Sequence, residues 1–275
     1  MTNKDARMPK VDKQFYADNV AYAQALDEIA PSQYEKYVDR LARACGGGRV
    51  LDAGCGTGTA VQMLVSRGCD AYGCDVSPEF VRRAVERAGD RFSLAHDDGT
   101  LPYESGAFAA AGSINALEHT EHPSIFLDEL CRIVRPGGTL VLTTPNMLSL
   151  TWPRPREGVD DPWRIRWMNL RLLARRALRA PSPGQEFLTV PSALGMAHYE
   201  PDLDAICLTN YFDVRGALRT RGFRITSFSA TQIVHPGLGG RVLDGLFATP
   251  LGWIAGAVFV VARKSMKAES GLAEH

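Results

Sequence analysis

In the stretch Val50-Leu51-Asp52-Ala53-Gly54-Cys55-Gly56-Thr57-Gly58 an apolar run leads straight into a carboxylate and then into three alternate glycines. Glycine lets a chain take positive φ and lets a ligand approach the backbone with no Cβ in the way. A helix starting after such a turn points N–H groups at whatever sits there, which makes the turn a cradle for a nucleotide. The spacing narrows the choice. A dinucleotide-binding turn carries its third glycine one position later, where this chain has Thr59, and does not usually begin with a carboxylate two residues before the first glycine.

Around this turn strands and helices alternate. Apolar runs predict strands at Arg49–Asp52, Ala71–Asp75, Phe92–His96, Ala109–Asn115 and Thr139–Thr144, and helical spacing predicts helices at Thr59–Arg67, Pro78–Ala88 and Pro123–Val134. Such alternation builds a doubly wound, mostly parallel α/β sheet with a Rossmann-like course. Two helices, split by Pro31, precede it as an N-terminal cap over residues 1–45. The rhythm lapses after Pro145 and returns with a helix at Phe212–Arg221 and a strand at Phe223–Ser229. Residues 147–209 therefore read as a lid inserted after strand five, with the α/β domain formed by 46–146 and 210–264.

Inside the insertion, Asp161-Pro162 has the form of a cap followed by proline at the first helical position. The helix it opens would carry Trp163, Trp167, Leu170, Ala174 and Ala177 on one face. Arg164, Arg171, Arg175 and Arg179 fall largely on the other. It reads as a lid helix with a solvated charged face, or as a surface for an anionic acceptor or peripheral membrane contact. The nearly uncharged run 245–262 is broken by Pro250, Gly252 and Gly256, so it reads as a short helix and a last core strand instead of a membrane span.

The 275 residues carry 31 Lys+Arg and 31 Asp+Glu, so no overall field draws the protein to nucleic acid, and no nucleic-acid partner is expected. Six cysteines show no C-x-x-C pair and no zinc spacing, so no metal is expected. The polar start of the chain carries no signal-like apolar run, and a cytoplasmic protein with reduced thiols is the expectation.

The motif Asp52-x-Gly54-x-Gly56-x-Gly58 resembles the first motif of the class I S-adenosylmethionine-dependent methyltransferases. Further segments carry the resemblance: Tyr72-Gly73-Cys74-Asp75-Val76-Ser77, His96-Asp97-Asp98-Gly99-Thr100-Leu101-Pro102, and Leu127 through Gly138 with its closing Arg135-Pro136-Gly137-Gly138. The likeness is specific over residues 45–145 and rests on rhythm alone over 210–262. It implies a seven-stranded sheet with its last strand antiparallel, and S-adenosyl-L-methionine as cofactor. Gly54, Gly56 and Gly58 would admit the methionine end, with Asp52 near its ammonium or a bound water. Asp75, beside Val76, would hold the ribose, and Asp97 or its neighbour Asp98 the adenine amino group. Ser77, ahead of Pro78, is the better helix cap, which leaves Asp75 for the ligand.

Asn115-Ala116-Leu117-Glu118-His119 would run beside the reacting centre. Relatives that methylate amines of bases carry Asn-Pro-Pro-Tyr here, so this chain is similar to the small-molecule branch that includes quinone, sugar and lipid methyltransferases. A small or carrier-bound acceptor, methylated at oxygen and bearing an anionic group for the arginines, is the expectation. His119 and His198 are the candidate bases, each with a packing role as the alternative. Tyr16 and Tyr22 would fold over the cofactor or pack in the cap. The rival readings are a nucleic-acid methyltransferase and a non-catalytic cofactor-binding or membrane-docking module.

Overall fold

The computed structural model describes residues 13–17, 19–96, 98–154, 159, 161–178, 186–190, 204–233 and 237–266. Seven strands form one sheet: β1 (Val50–Ala53), β2 (Ala71–Asp75), β3 (Phe92–Leu94), β4 (Phe108–Ile114), β5 (Val134–Pro145), β6 (Phe223–Ser229) and β7 (Ala257–Lys264). Their order is β3-β2-β1-β4-β5-β7-β6. Six strands run in one direction, and β7 lies antiparallel between β5 and β6, which is the mostly parallel Rossmann-like sheet that the alternation and the resemblance predict.

Side chains alternate across the pleat, so each central strand feeds two cores. Val50, Val141 and Phe259 point to one face with Tyr37, Val38, Leu41, Val61 and Leu64. Leu51, Leu140, Leu142 and Val260 point to the other with Leu127, Leu130, Ile133 and Val214. Burial on both faces explains why these strands read as continuous apolar runs.

Among the described residues three helices, not two, precede β1: α1 (Lys13–Ala17), α2 (Val20–Asp27) and α3 (Glu35–Cys45). Pro31 opens a 3-10 turn between the last two. Asn19 starts α2 by accepting from the Tyr22 N–H, a cap that apolar spacing does not reveal. The other helices are α4 (Thr59–Ser66), α5 (Pro78–Ala88), α6 (Pro123–Ile133), α7 (Pro162–Leu178), α8 (Tyr211–Thr220) and α9 (Gly237–Phe247). Ser77 caps α5 through the Phe80 N–H, as Ser77-Pro78 predicts. The run from 245 onward is the end of α9, a 3-10 turn at Pro250–Ile254 and β7. Among the described residues no helix is long and apolar enough to cross a membrane.

α7 forms where Asp161-Pro162 places it, and Asp161 accepts from the Trp163 N–H at 2.9 Å. Its arginine face is solvated as expected, and the face that carries the tryptophans is solvated as well. Ile165, Asn169 and Leu173 are the buried stripe, while Trp163, Trp167, Leu170, Ala174 and Ala177 face solvent. A hydrogen bond from Asn169 Nδ2 to the Ser149 carbonyl, 2.9 Å long, anchors the polar member of that stripe.

Candidate active site

Strand order reverses beside β1, whose neighbours are β2 on one side and β4 on the other. Loops leaving the carboxyl ends of neighbouring strands diverge there and open a crevice. A cavity of about 940 Å³ occupies it, walled by the glycine turn, by residues after β2 and β4, and by Tyr16, Tyr22 and Tyr34 of the cap. That is room for a nucleoside-sized cofactor and a small acceptor together.

Gly54 and Gly56 are on the cavity wall. Gly54 sits at φ +72°, and a Cβ there would stand 2.5 Å from the Ala116 Cβ, so this position demands glycine twice over. Gly58 lies elsewhere. It takes φ +86°, but a Cβ on it would strike Phe92 and Ala84, so its smallness serves the packing of α5 and β3.

Asp75 lies on the wall with Val76. Its Oδ2 accepts from the Gly56 N–H at 2.8 Å and its Oδ1 from the Ser77 N–H at 3.0 Å, so one carboxylate ties the glycine turn to the cap of α5. Each oxygen keeps a lone pair for a ligand hydroxyl. Burial raises its pKa above the ordinary carboxylate range, and the backbone N–H groups pull against that rise. Asp98 also lines the cavity and turns back to accept from the Thr100 N–H and hydroxyl. Asp97, His198 and Arg179 lie outside the described residues.

Asp52 is buried beneath the turn and does not line the cavity. Tyr37 Oη donates to its Oδ1 at 2.5 Å, and its Oδ2 has no hydrogen-bond partner among the described residues. Burial pushes its pKa up to about 7, with Asp75 adding to the rise and the Tyr37 hydroxyl opposing it. Asp213 is likewise pushed up to about 6 by burial. In an unfolded chain both would lose their protons near pH ~4. Between there and neutrality the folded state binds more protons, so stability falls as pH rises through that window. Urea unfolding of the ligand-free protein is expected to give a smaller free energy at pH 8 than at pH 5. Asp52→Asn should shrink the difference by on the order of 3 kcal/mol, and an unchanged difference would remove Asp52 as its source.

Asn115 follows β4 at φ +49°, the one positive φ outside glycine among the described residues. Such backbone costs ~1–3 kcal/mol and collects at working sites. Four residues on, His119 lines the cavity. Its Nδ1 is 3.2 Å from Asp204 Oδ2, within ion-pair distance but too poorly aligned to count as a hydrogen bond. Its Nε2 is 3.8 Å from Glu118 Oε1. Tyr16 Oη donates to Asp204 Oδ2 at 2.9 Å, and Thr144 Oγ1 donates to Glu118 Oε2 at 2.8 Å. The imidazole thus sits between two buried carboxylates, each held by a hydroxyl. Tyr22 stacks on Phe80 with ring centres 5.8 Å apart, so both cap tyrosines pack and also face the cavity.

Asp204 and Gln232 are the members that sequence reasoning missed. No motif marks either, and the fold alone carries them to the site. Arg171 and Arg175 are exposed and line neither this cavity nor the smaller one beside it, so the anion-binding role expected of α7 toward the acceptor has no support in its geometry. Asn146 is spent on structure: its Nδ2 donates to the carbonyls of Trp253 and Ala255, and its Oδ1 accepts from the Leu148 N–H.

A strand-to-helix glycine turn, a carboxylate closing β2 and a strained Asn after β4 surround one crevice. Residues 26–227 match the methyltransferase-domain family. The chain belongs to that family. Similar relatives include the demethylmenaquinone methyltransferase of Beutenbergia cavernae, 36% identical over 96 residues, which are 35% of this chain and 40% of the relative. The malonyl-[acyl-carrier protein] O-methyltransferase of Herminiimonas arsenicoxydans is 32% identical over 142 residues, 50% of this chain and 54% of the relative. The chain spans about half the length of the curated relatives it matches. Among solved structures, an S-adenosylmethionine-dependent methyltransferase from Mesorhizobium loti superposes with TM-score 0.55 at 19% identity, over 87% of this chain and 100% of that one. The [4+2]-cyclase SpnF superposes with TM-score 0.54 at 21% identity, over 94% and 98%. S-adenosyl-L-methionine, the cofactor of the family, fits the cavity: Gly54 and Gly56 bare the backbone, and Asp75 offers its carboxylate.

Proposed function

We propose that this methyltransferase moves the methyl group of S-adenosyl-L-methionine to an oxygen of a small or carrier-bound acceptor, with His119 as the base. The observation that carries the reading is the half-buried His119, set on the cavity wall between the buried carboxylates of Asp204 and Glu118. When bound, the cofactor supplies an electrophilic sulfonium methyl, so the protein's tasks are alignment, exclusion of water and disposal of a proton. Gly54, Gly56 and Asp75 would hold the cofactor, with Asn115 at the edge toward the acceptor. His119 would take the acceptor's proton as the new bond forms, and the resulting imidazolium would lie between two carboxylates. Relatives named for a quinone precursor and for a carrier-protein ester support acceptors of these classes.

The fold by itself does not entail methyl transfer, since a neighbour of the same fold is named a cyclase. The decisive experiment incubates the protein with methyl-labelled cofactor and a whole-cell extract of its own organism, then identifies labelled products by mass. A methyl ether or ester is the expected product. Label on nitrogen or carbon would overturn oxygen as the acceptor atom, and cofactor binding without labelled product would overturn the enzyme reading.

A further inference from the structure

α7 has two apolar faces. At ~100° per residue, Ile165, Asn169, Leu172 and Leu173 fall together on the side packed toward Met147, Leu148 and Leu208. Trp163, Trp167, Leu170 and Leu178 fall on the opposite side, in water: Trp163 is 71% exposed, Trp167 65% and Leu178 87%. Amphipathic helices ordinarily turn their charged side outward. This helix turns tryptophans outward and sets Arg164, Arg171 and Arg175, all exposed, along their edge. Its 17 residues include no acidic side chain.

The patch extends beyond the helix. Trp152, 68% exposed, follows β5, while Leu251 in the 3-10 turn and Val242 and Leu246 on α9 are exposed as well. The segment Leu150–Thr151 joins these parts: Leu150 N–H donates to the Ile254 carbonyl at 2.8 Å, and Arg166 Nε donates to the Leu150 carbonyl at 2.9 Å. Three of the chain's four tryptophans therefore face solvent around one end of the molecule. Exposed apolar area on this scale marks a partner.

The chemistry of the patch selects that partner. Tryptophans settle at the headgroup level of a bilayer, and exposed arginines on a helix that carries no carboxylate of its own match an anionic surface. A second cleft of about 380 Å³ opens beside Trp152, Ile233 and Phe247 and shares Asn115 and Gln232 with the large cavity. A molecule entering beside Trp152 would reach the edge of the cofactor site.

We propose that the α7–α9 face docks the protein on an anionic lipid bilayer, so that the second cleft takes an apolar, membrane-resident acceptor. The clause on the acceptor rests on the methyltransferase reading, whereas the docking does not. The test sediments the full chain with phosphatidylcholine vesicles made with and without phosphatidylglycerol. Binding is expected only to the anionic vesicles, with a blue shift of tryptophan emission and release by salt. The double variants Trp163→Ala/Trp167→Ala and Arg171→Glu/Arg175→Glu should each lower partition by on the order of tenfold or more. Cofactor affinity by calorimetry should stay unchanged in both, since these side chains lie outside the cavities. No partition of the wild type, or equal partition of the tryptophan variant, overturns the docking. A concentration-dependent dimer that the tryptophan variant abolishes overturns it too, by making the face a contact between copies. In the labelling experiment, methylated product is expected in the organic-soluble membrane fraction, and label confined to water-soluble products overturns the acceptor clause. If cofactor binds and no label moves anywhere, the methyltransferase reading fails while sedimentation still decides the docking.

Discussion

Asp75→Ala is expected to weaken cofactor binding by ~10²–10⁴-fold, read as Kd by calorimetry, because two functions converge on one carboxylate. Hydrogen bonds to a charged group contribute ~1.5–3 kcal/mol each, and two ribose hydroxyls would bond to this one. The same oxygens hold the Gly56 and Ser77 N–H groups, so the substitution also loosens the cradle that bares Gly54 and Gly56 to the cavity. Asp75→Asn separates charge from shape. Its amide keeps one accepting oxygen but turns N–H donors toward one of those backbone donors, and affinity should fall nearly as far. Burial also holds the pKa of Asp75 above the usual range, so wild-type affinity should weaken on acidification before ordinary carboxylates titrate. A Kd unchanged in Asp75→Ala, measured below its melting temperature, would leave the residue a purely structural tie.

The parts of this molecule legible in its sequence are those decided by neighbours in the chain. The bounds of β2 and α5 follow from an apolar run, a cap and a proline within a few residues. The glycine turn was legible as a cradle but not in its details. Gly54 and Gly58 both take positive φ, yet only the three-dimensional neighbours show that Gly54 serves the cavity while Gly58 makes room for Phe92 and Ala84. The buried stripe of α7 is hidden for a related reason. Periodicity finds apolar stripes without saying which one faces inward, and it passes over Asn169, whose burial depends on a carbonyl twenty residues earlier in the chain. Asp204 was invisible because what brings it to His119 is the course of the chain between β5 and α8, and no local pattern encodes that course.

His119→Ala is expected to lower kcat by ~10²–10⁴-fold while leaving cofactor Kd unchanged, the range of a positioned general base. A solvent isotope effect discriminates a base from a packing residue. Deuterated water should slow wild-type kcat as the acceptor's proton moves, and the alanine variant should lack that effect. Asp204→Asn should produce a smaller loss in the same direction. The amide can still receive the Tyr16 hydroxyl, but it brings no negative charge beside Nδ1 of the imidazolium that forms. Tyr16→Phe then tests how the pair is held: without its hydroxyl, Asp204 keeps its charge but loses the bond that fixes its orientation, so kcat should fall while the isotope effect stays. Added imidazole should restore part of the activity of His119→Ala, where the cavity has room for it, and none of the activity lost in Tyr16→Phe. Should His119→Ala retain wild-type kcat and the same isotope effect, alignment of acceptor and cofactor alone would suffice for the chemistry, and the Tyr16–Asp204–His119 array would be reduced to a clamp joining the N-terminal cap to the sheet.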